Sequence, residues 1–154
     1  NVASWAACGS QAHFEIVTKT AKGSSTFPAH LVLGKTFENH AGTANQQIEI
    51  PDGGSAVSEI NSEVGGQTVR VNIEADIKHS YPADLRYFVK TPAGEQIELI
   101  KSGVNESGWT KLSTEARSSS LGRWSLVVSD NNGQDKGTLY GWKLILINAE
   151  CQQK

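Results

Sequence analysis

The sequence has no methionine, and among its 154 residues there are only two cysteines, four prolines and no long apolar run. Its most apolar stretch, Leu144 to Ile147 with its flanks, falls far short of the roughly 20 residues that a membrane-spanning helix requires. A soluble protein with no membrane partner is expected. Basic runs are also absent. Fourteen Lys+Arg against sixteen Asp+Glu leave a formal net charge of -2, without the positive footprint that nucleic acid or anionic lipid would need. A chain that begins at Asn1 without the basic-then-apolar start of a signal peptide is expected to be a processed product or a piece of something longer.

Catalytic motifs are missing in the same way. No G-x-S-x-G elbow marks a nucleophile among the many serines, so an independent hydrolase is disfavoured. The histidines His13, His30, His40 and His79 lack the i, i+4 spacing or H-E-x-x-H context of a zinc site and read as surface or satisfied core residues. Glutamate pairs such as Glu95 and Glu98, or Glu59 and Glu63, read as solvated charges.

Cys8 and Cys151 stand at opposite ends of the chain, a placement that no C-x-x-C or zinc spacing explains. A disulfide joining the ends is the simplest account. It would stabilise the fold by up to about 4 to 5 kcal/mol in the loop-entropy picture and would imply an oxidising compartment. The alternative is a pair of buried free thiols in a reducing one.

What is present is strand-forming. Fifteen glycines and many Ser, Thr and Asn residues cut the sequence into short apolar runs, none with helical spacing over the ~10 residues of an ordinary helix. From Thr68 to Lys78 the residues Val69, Val71, Ile73, Ala75 and Ile77 alternate with polar ones, which places one face in a core and one in water. Leu85 to Lys90 and Gln96 to Lys101 flank Thr91-Pro92-Ala93-Gly94 and read as a hairpin. Trp124 to Ser129 alternates again, and Thr138 to Ile147 is apolar on both faces, as a central strand would be. Ile48 and Ile50 mark a short strand before the turn Pro51-Asp52-Gly53-Gly54, and Phe14 to Val17 and His30 to Leu33 suggest two weaker strands. Lys111 to Ser119 is the one segment expected to hold a helical turn or two, opened by a Ser113 or Thr114 cap.

Seven or eight short strands with Gly/Pro turns predict an all-β fold, an antiparallel β-sandwich of jelly-roll type. A composition shift near Ala41 to Gln47 separates residues 1–45, expected to be an N-terminal extension packed on the domain, from the regular domain of residues 46–150.

The loop from Asp130 to Gly137 concentrates carboxylates and amide carbonyls between two strands, the hard oxygen donors that calcium prefers; the alternative is a plain Asx/Gly turn. Asp130 and Asp135 are the first candidate ligands, then Asp84 if it reaches the same end, with Asp52 weaker. Trp124 and Trp142 read as core aromatics rather than ligand-stacking ones. Asn105-Glu106-Ser107 fits the N-glycosylation pattern.

One ordered set of motifs carries a family resemblance: Asp52-Gly53-Gly54-Ser55, His79-Ser80-Tyr81-Pro82-Ala83-Asp84-Leu85, Thr91-Pro92-Ala93-Gly94-Glu95, Gly122-Arg123-Trp124-Ser125-Leu126-Val127-Val128-Ser129-Asp130, and Asp135-Lys136-Gly137-Thr138-Leu139-Tyr140-Gly141-Trp142-Lys143-Leu144. Over about 100 residues this resembles the P domain, or homo B domain, of kexin- and furin-like proprotein convertases and of secreted bacterial proteases. Where eukaryotic members often carry Arg-Gly-Asp this chain has Pro82-Ala83-Asp84, so only Asp84 and Leu85 carry over and no integrin-type role is expected. The resemblance implies a noncatalytic jelly roll appended to the catalytic domain of a secreted subtilisin-like serine protease or a metallopeptidase. It would support stability, folding, secretion, calcium and pH response, or engagement of a protein substrate. The alternative is a carbohydrate- or matrix-binding sandwich in which Trp109, Tyr81 or Phe88 stacks on its ligand.

Overall fold

The alternation from Thr68 to Lys78 becomes the strand Gln67–His79, whose Val69, Val71, Ile73 and Ala75 are buried while Arg70 and Lys78 face solvent. In the computed structural model, residues 11–150 apart from 22 and 33 are described. Cys8 and Cys151, and the bridge expected between them, lie outside the described residues. In chain order the strands are β1 (Gln11–Thr20), β2 (Gly23–Val32), β3 (Lys35–Ala44), β4 (Ile48–Ile50), β5 (Ser55–Ser62), β6 (Gln67–His79), β7 (Leu85–Lys90), β8 (Gln96–Glu98), β9 (Ile100–Val104), β10 (Thr110–Ser119), β11 (Gly122–Asp130) and β12 (Gly137–Glu150). A single 3₁₀ turn, Pro82–Asp84, precedes β7, and no α-helix occurs among the described residues.

Every strand pairing is antiparallel. The larger sheet runs β3-β12-β6-β10-β9, with β4 beside the start of β12, and the smaller runs β5-β11-β7-β8. β1 and β2 form a separate two-stranded ribbon that contains the weaker strands expected at Phe14 to Val17 and His30 to Leu33, the last of which lies outside the described residues. β12 is central, flanked by β6 and β3, as its apolar residues on both faces require. β3 lies within residues 1–45, the extension expected to pack on the domain, and forms the edge strand beside β12 from Lys35↔Glu150 to Ala44↔Trp142.

The two sheets enclose one core. Trp124 on β11 and Trp142 on β12 are fully buried in it, joined by Val71, Ile73, Val89, Leu112, Leu126, Leu139, Leu144 and Leu146. At one end a polar layer closes the core. The Ser120 hydroxyl donates to Asn148 Oδ1 (3.0 Å), so the Thr68 hydroxyl is the donor to Ser120 Oγ (2.8 Å). Asn148 Nδ2 then donates to the Gly65 carbonyl (2.8 Å), and Trp124 Nε1 donates to the Ser120 carbonyl (3.1 Å).

One expectation is corrected. Lys111 to Ser119 is not helical: it belongs to β10, hydrogen-bonded between β6 and β9. Leu112 and Ala116 are its only buried apolar residues, and their spacing of four imitates a helix face. Thr110 and Ser118 are buried at the flanking even positions and Thr114 between is half-buried, so the true period is two and small polar side chains hide it. The hairpin expected from Leu85 forms between β7 and β8, but the return strand ends at Glu98 and β9 joins the other sheet.

Candidate metal centre at one end of the sandwich

Three chain segments far apart in sequence are clamped at one corner by their backbones. Pro51-Asp52-Gly53-Gly54 closes as a turn through a Gly54 N–H to Pro51 carbonyl bond of 2.9 Å, with Gly53 in the left-handed region at φ 60°. Asp130, the last residue of β11, donates its N–H to the Gly54 carbonyl (2.8 Å), and Asn131 donates to the Asp84 carbonyl (3.2 Å). The Asp52 turn, the 3₁₀ turn ending at Asp84 and the β11–β12 loop therefore meet.

Their side chains complete the clamp. Asp130, buried, accepts from Gly53 N at Oδ2 (3.3 Å) and from Asn132 N at Oδ1 (3.2 Å). Asp52 Oδ1 accepts from Gln134 N (2.8 Å). Gln134, at φ 93°, is the one non-glycine in the left-handed region among the described residues. Such strain persists where surrounding contacts hold it, and here it sits immediately before Asp135.

Into this corner comes a residue that spacing alone passed over. His79 ends β6 opposite Gly137, the first residue of β12, and its side chain is fully buried. Nε2 lies 3.6 Å from Asp130 Oδ2 and 3.4 Å from Asp135 Oδ1. One ligand atom from each of the three residues falls within 4.8 Å of the others. Both His79 Nε2 and Asp135 Oδ1 are buried without a hydrogen-bond partner. Buried polar atoms are rarely left so. At the other ring nitrogen, Nδ1 accepts the Tyr81 N–H (3.2 Å), which places the ring proton of a neutral imidazole on Nε2.

Burial of the Asp135 carboxyl pushes its pKa above the ordinary value; His79 opposes the rise, and Asp130, Asp84 and Asp52 add to it. The expected ligands are thus all at one corner, in two roles. Asp130 and Asp135 share the His79 cluster, whereas Asp84 and Asp52 act on it through charge and through backbone clamps. The fit to calcium is incomplete, because the unpartnered carboxylate oxygen faces an imidazole nitrogen where calcium would take oxygen. The available signal for His79 was its place at the head of the family motif His79 to Leu85, at the end of an alternating strand and five residues before Asp84.

The aromatic residues of the sugar-binding alternative do not share a face. Trp109 lies half-buried on the outer side of the larger sheet with the Lys143 ammonium 4.9 Å from its ring, whereas Phe88 is on the outer side of the smaller sheet. Tyr81 is exposed beside the acidic corner. Asn105 is committed to its loop: Oδ1 accepts from Ser107 N and Trp109 N (2.9 Å each) and Nδ2 donates to Glu74 (3.1 Å). Glu98 and Glu59 face Arg86 (2.8 Å) and Arg123 (3.6 Å) across the surface of the smaller sheet.

Comparison with known proteins agrees with the fold. The family model of the proprotein convertase P-domain matches residues 68–146, just over half of the chain and a span that includes His79, Asp84, Asp130 and Asp135. The serine protease of Aeromonas sobria, solved in complex with the chaperone ORF2, is similar at a TM-score of 0.60 and 13% identity, over 89% of this chain and 36% of that one. The serine protease of Aeromonas sobria in a second structure gives 0.59 and 13%, over 87% of this chain and 36% of that one. This chain therefore spans about a third of the length of the solved chains it matches, and at such identity the likeness is one of fold.

Proposed function

The chain belongs to the proprotein convertase P-domain family, and from that premise we propose that it is the noncatalytic accessory unit of a secreted protease, acting on the C-terminal side of the catalytic domain. The observation that carries this is the family match from β6 to β12, which covers both core tryptophans and the corner cluster. The likeness to part of a bacterial serine protease supports a serine protease parent over a metallopeptidase. Its partner is the catalytic domain, and its effect is on folding, stability and export rather than on bond cleavage, in an extracellular setting.

Deleting the domain from the parent protease tests this. The expected result is a sharp fall in secreted active protease and faster thermal inactivation of what remains. Unchanged yield and inactivation, or peptide hydrolysis by the isolated chain, would overturn it.

A divalent cation at the acidic corner belongs to the same proposal, calcium being the ion expected from the oxygen-rich loop. A cation that binds only the folded state stabilises it by about 2.7 kcal/mol at a hundredfold excess over Kd. Chelation is expected to lower the melting temperature. An unchanged melt with and without chelator would remove the cation.

A further inference from the structure

We propose that His79 Nε2, Asp130 Oδ2 and Asp135 Oδ1 form a three-ligand site for a borderline transition-metal ion of the zinc class rather than for calcium. This rests on the reading that a divalent cation occupies the corner, and it names the class of ion and adds a ligand.

Two independent observations point to a ligand here. First, the three donor atoms come from three separate elements, the end of β6, the end of β11 and the loop before β12, and still converge within 4.8 Å. Second, two of these atoms, His79 Nε2 and Asp135 Oδ1, are buried and unpartnered while standing 3.4 Å apart. The His79 side chain is fully buried and that of Asp135 is 9% exposed. A direct N–H···O bond would be shorter, and neither atom makes one. A cation between them satisfies both at once and offsets the negative charge that Asp130, Asp84 and Asp52 place around Asp135.

The donor set chooses the ion. Calcium takes six to eight oxygens, whereas one imidazole and two carboxylates suit zinc and its first-row neighbours, which accept three protein ligands and leave a position for water. Geometry around the ring supports a built site, since Gly137 leaves the space that the His79 ring fills and Asp52 holds the strained Gln134 that precedes Asp135.

Binding changes the ring tautomer. Nε2 ligates through its lone pair, so the ring proton must move from Nε2 to Nδ1 and the Tyr81 N–H must release Nδ1. That bond is 3.2 Å long, and because the ring is fully enclosed the exposed Tyr81 turn has to shift for Nδ1 to take the proton. The tautomer of His79 therefore reports on the metal.

The test uses the whole chain freed of metal by chelation and then titrated with Zn²⁺, Co²⁺ and Ca²⁺, following the melt, the visible Co²⁺ spectrum and the ¹⁵N resonances of His79. Expected are a rise in melting temperature with Zn²⁺ and Co²⁺, movement of the His79 proton from Nε2 to Nδ1, and at least about a 100-fold loss of affinity in Asp135→Asn and His79→Asn. The ¹⁵N measurement on the unaltered protein needs no variant to fold. Stabilisation by Ca²⁺ alone with an unmoved tautomer would overturn the inference and leave the cation reading standing. Zn²⁺ affinity equal in the unaltered protein and both variants would overturn it as binding elsewhere. No response to any of the three ions would overturn both.

Discussion

Gly137 faces His79 so closely across the β6–β12 pair that any Cβ at position 137 would overlap the imidazole ring and lie 2.5 Å from the Lys78 carbonyl oxygen. A backbone carbonyl in a sheet cannot step aside, so the ring would have to leave. Gly137→Ala is expected to destabilise by about 1–3 kcal/mol, the usual range for overpacking, and to abolish the cation-dependent rise in melting temperature. Denaturant unfolding with and without added cation checks both.

Ser120 is the hinge of the polar layer that closes the core, because its hydroxyl joins Thr68 to Asn148 and its carbonyl receives Trp124 Nε1. Ser120→Ala removes the hydroxyl and leaves two buried polar groups short of a partner. A loss of about 1–3 kcal/mol is expected, with cation binding at the acidic corner unchanged. Equilibrium unfolding and a metal titration separate the two effects.

Asn105 organises the β9–β10 loop through three hydrogen bonds, two accepted and one donated. Asn105→Ala is expected to loosen the loop and cost about 0.5–1.5 kcal/mol, since its partners lie at or near the surface. Hydrogen exchange at the Ser107 and Trp109 amides is the direct measurement, and both should lose protection.

Tyr87, on the inward face of β7, has its phenol pKa raised by burial above the ordinary 10.0. A raised folded-state value means that the neutral phenol is favoured by folding. The contribution is present below about pH 10 and is lost as pH rises through the folded-state value. Tyr87 should therefore ionise above the ordinary phenol pKa in the folded protein, and Tyr87→Phe should remove part of the alkaline loss of stability. Phenolate absorbance and melting temperature against pH test this.

Much of the architecture was legible from residue order. β6, β7, β11 and β12 announce themselves because large apolar residues recur at every second position or fill both faces. β5 and β10 do not. In β5 the buried positions are Ala56, Ser58, Ile60 and Ser62 while Val57 faces solvent, and in β10 Leu112 and Ala116 mimic a helical spacing. Period-two patterning depends on contrast between faces, and small hydroxyl residues facing inward erase that contrast.

The corner divides in the same way. The carboxylates of the β11–β12 loop stand out in the sequence because oxygen donors clustered between strands are a local pattern, readable without a fold. His79 stands out only as part of the family motif and not as a partner of that loop, since it is 51 residues from Asp130 and 56 from Asp135 and no spacing rule spans that distance. Sequence by itself determined an all-β, low-charge domain with an acidic loop and two core tryptophans, because local alternation and composition encode those directly. Tertiary structure alone decided that β6 pairs with β12 in a register setting His79 against Gly137. That pairing brings a nitrogen to carboxylates the sequence had marked for an oxygen-loving ion.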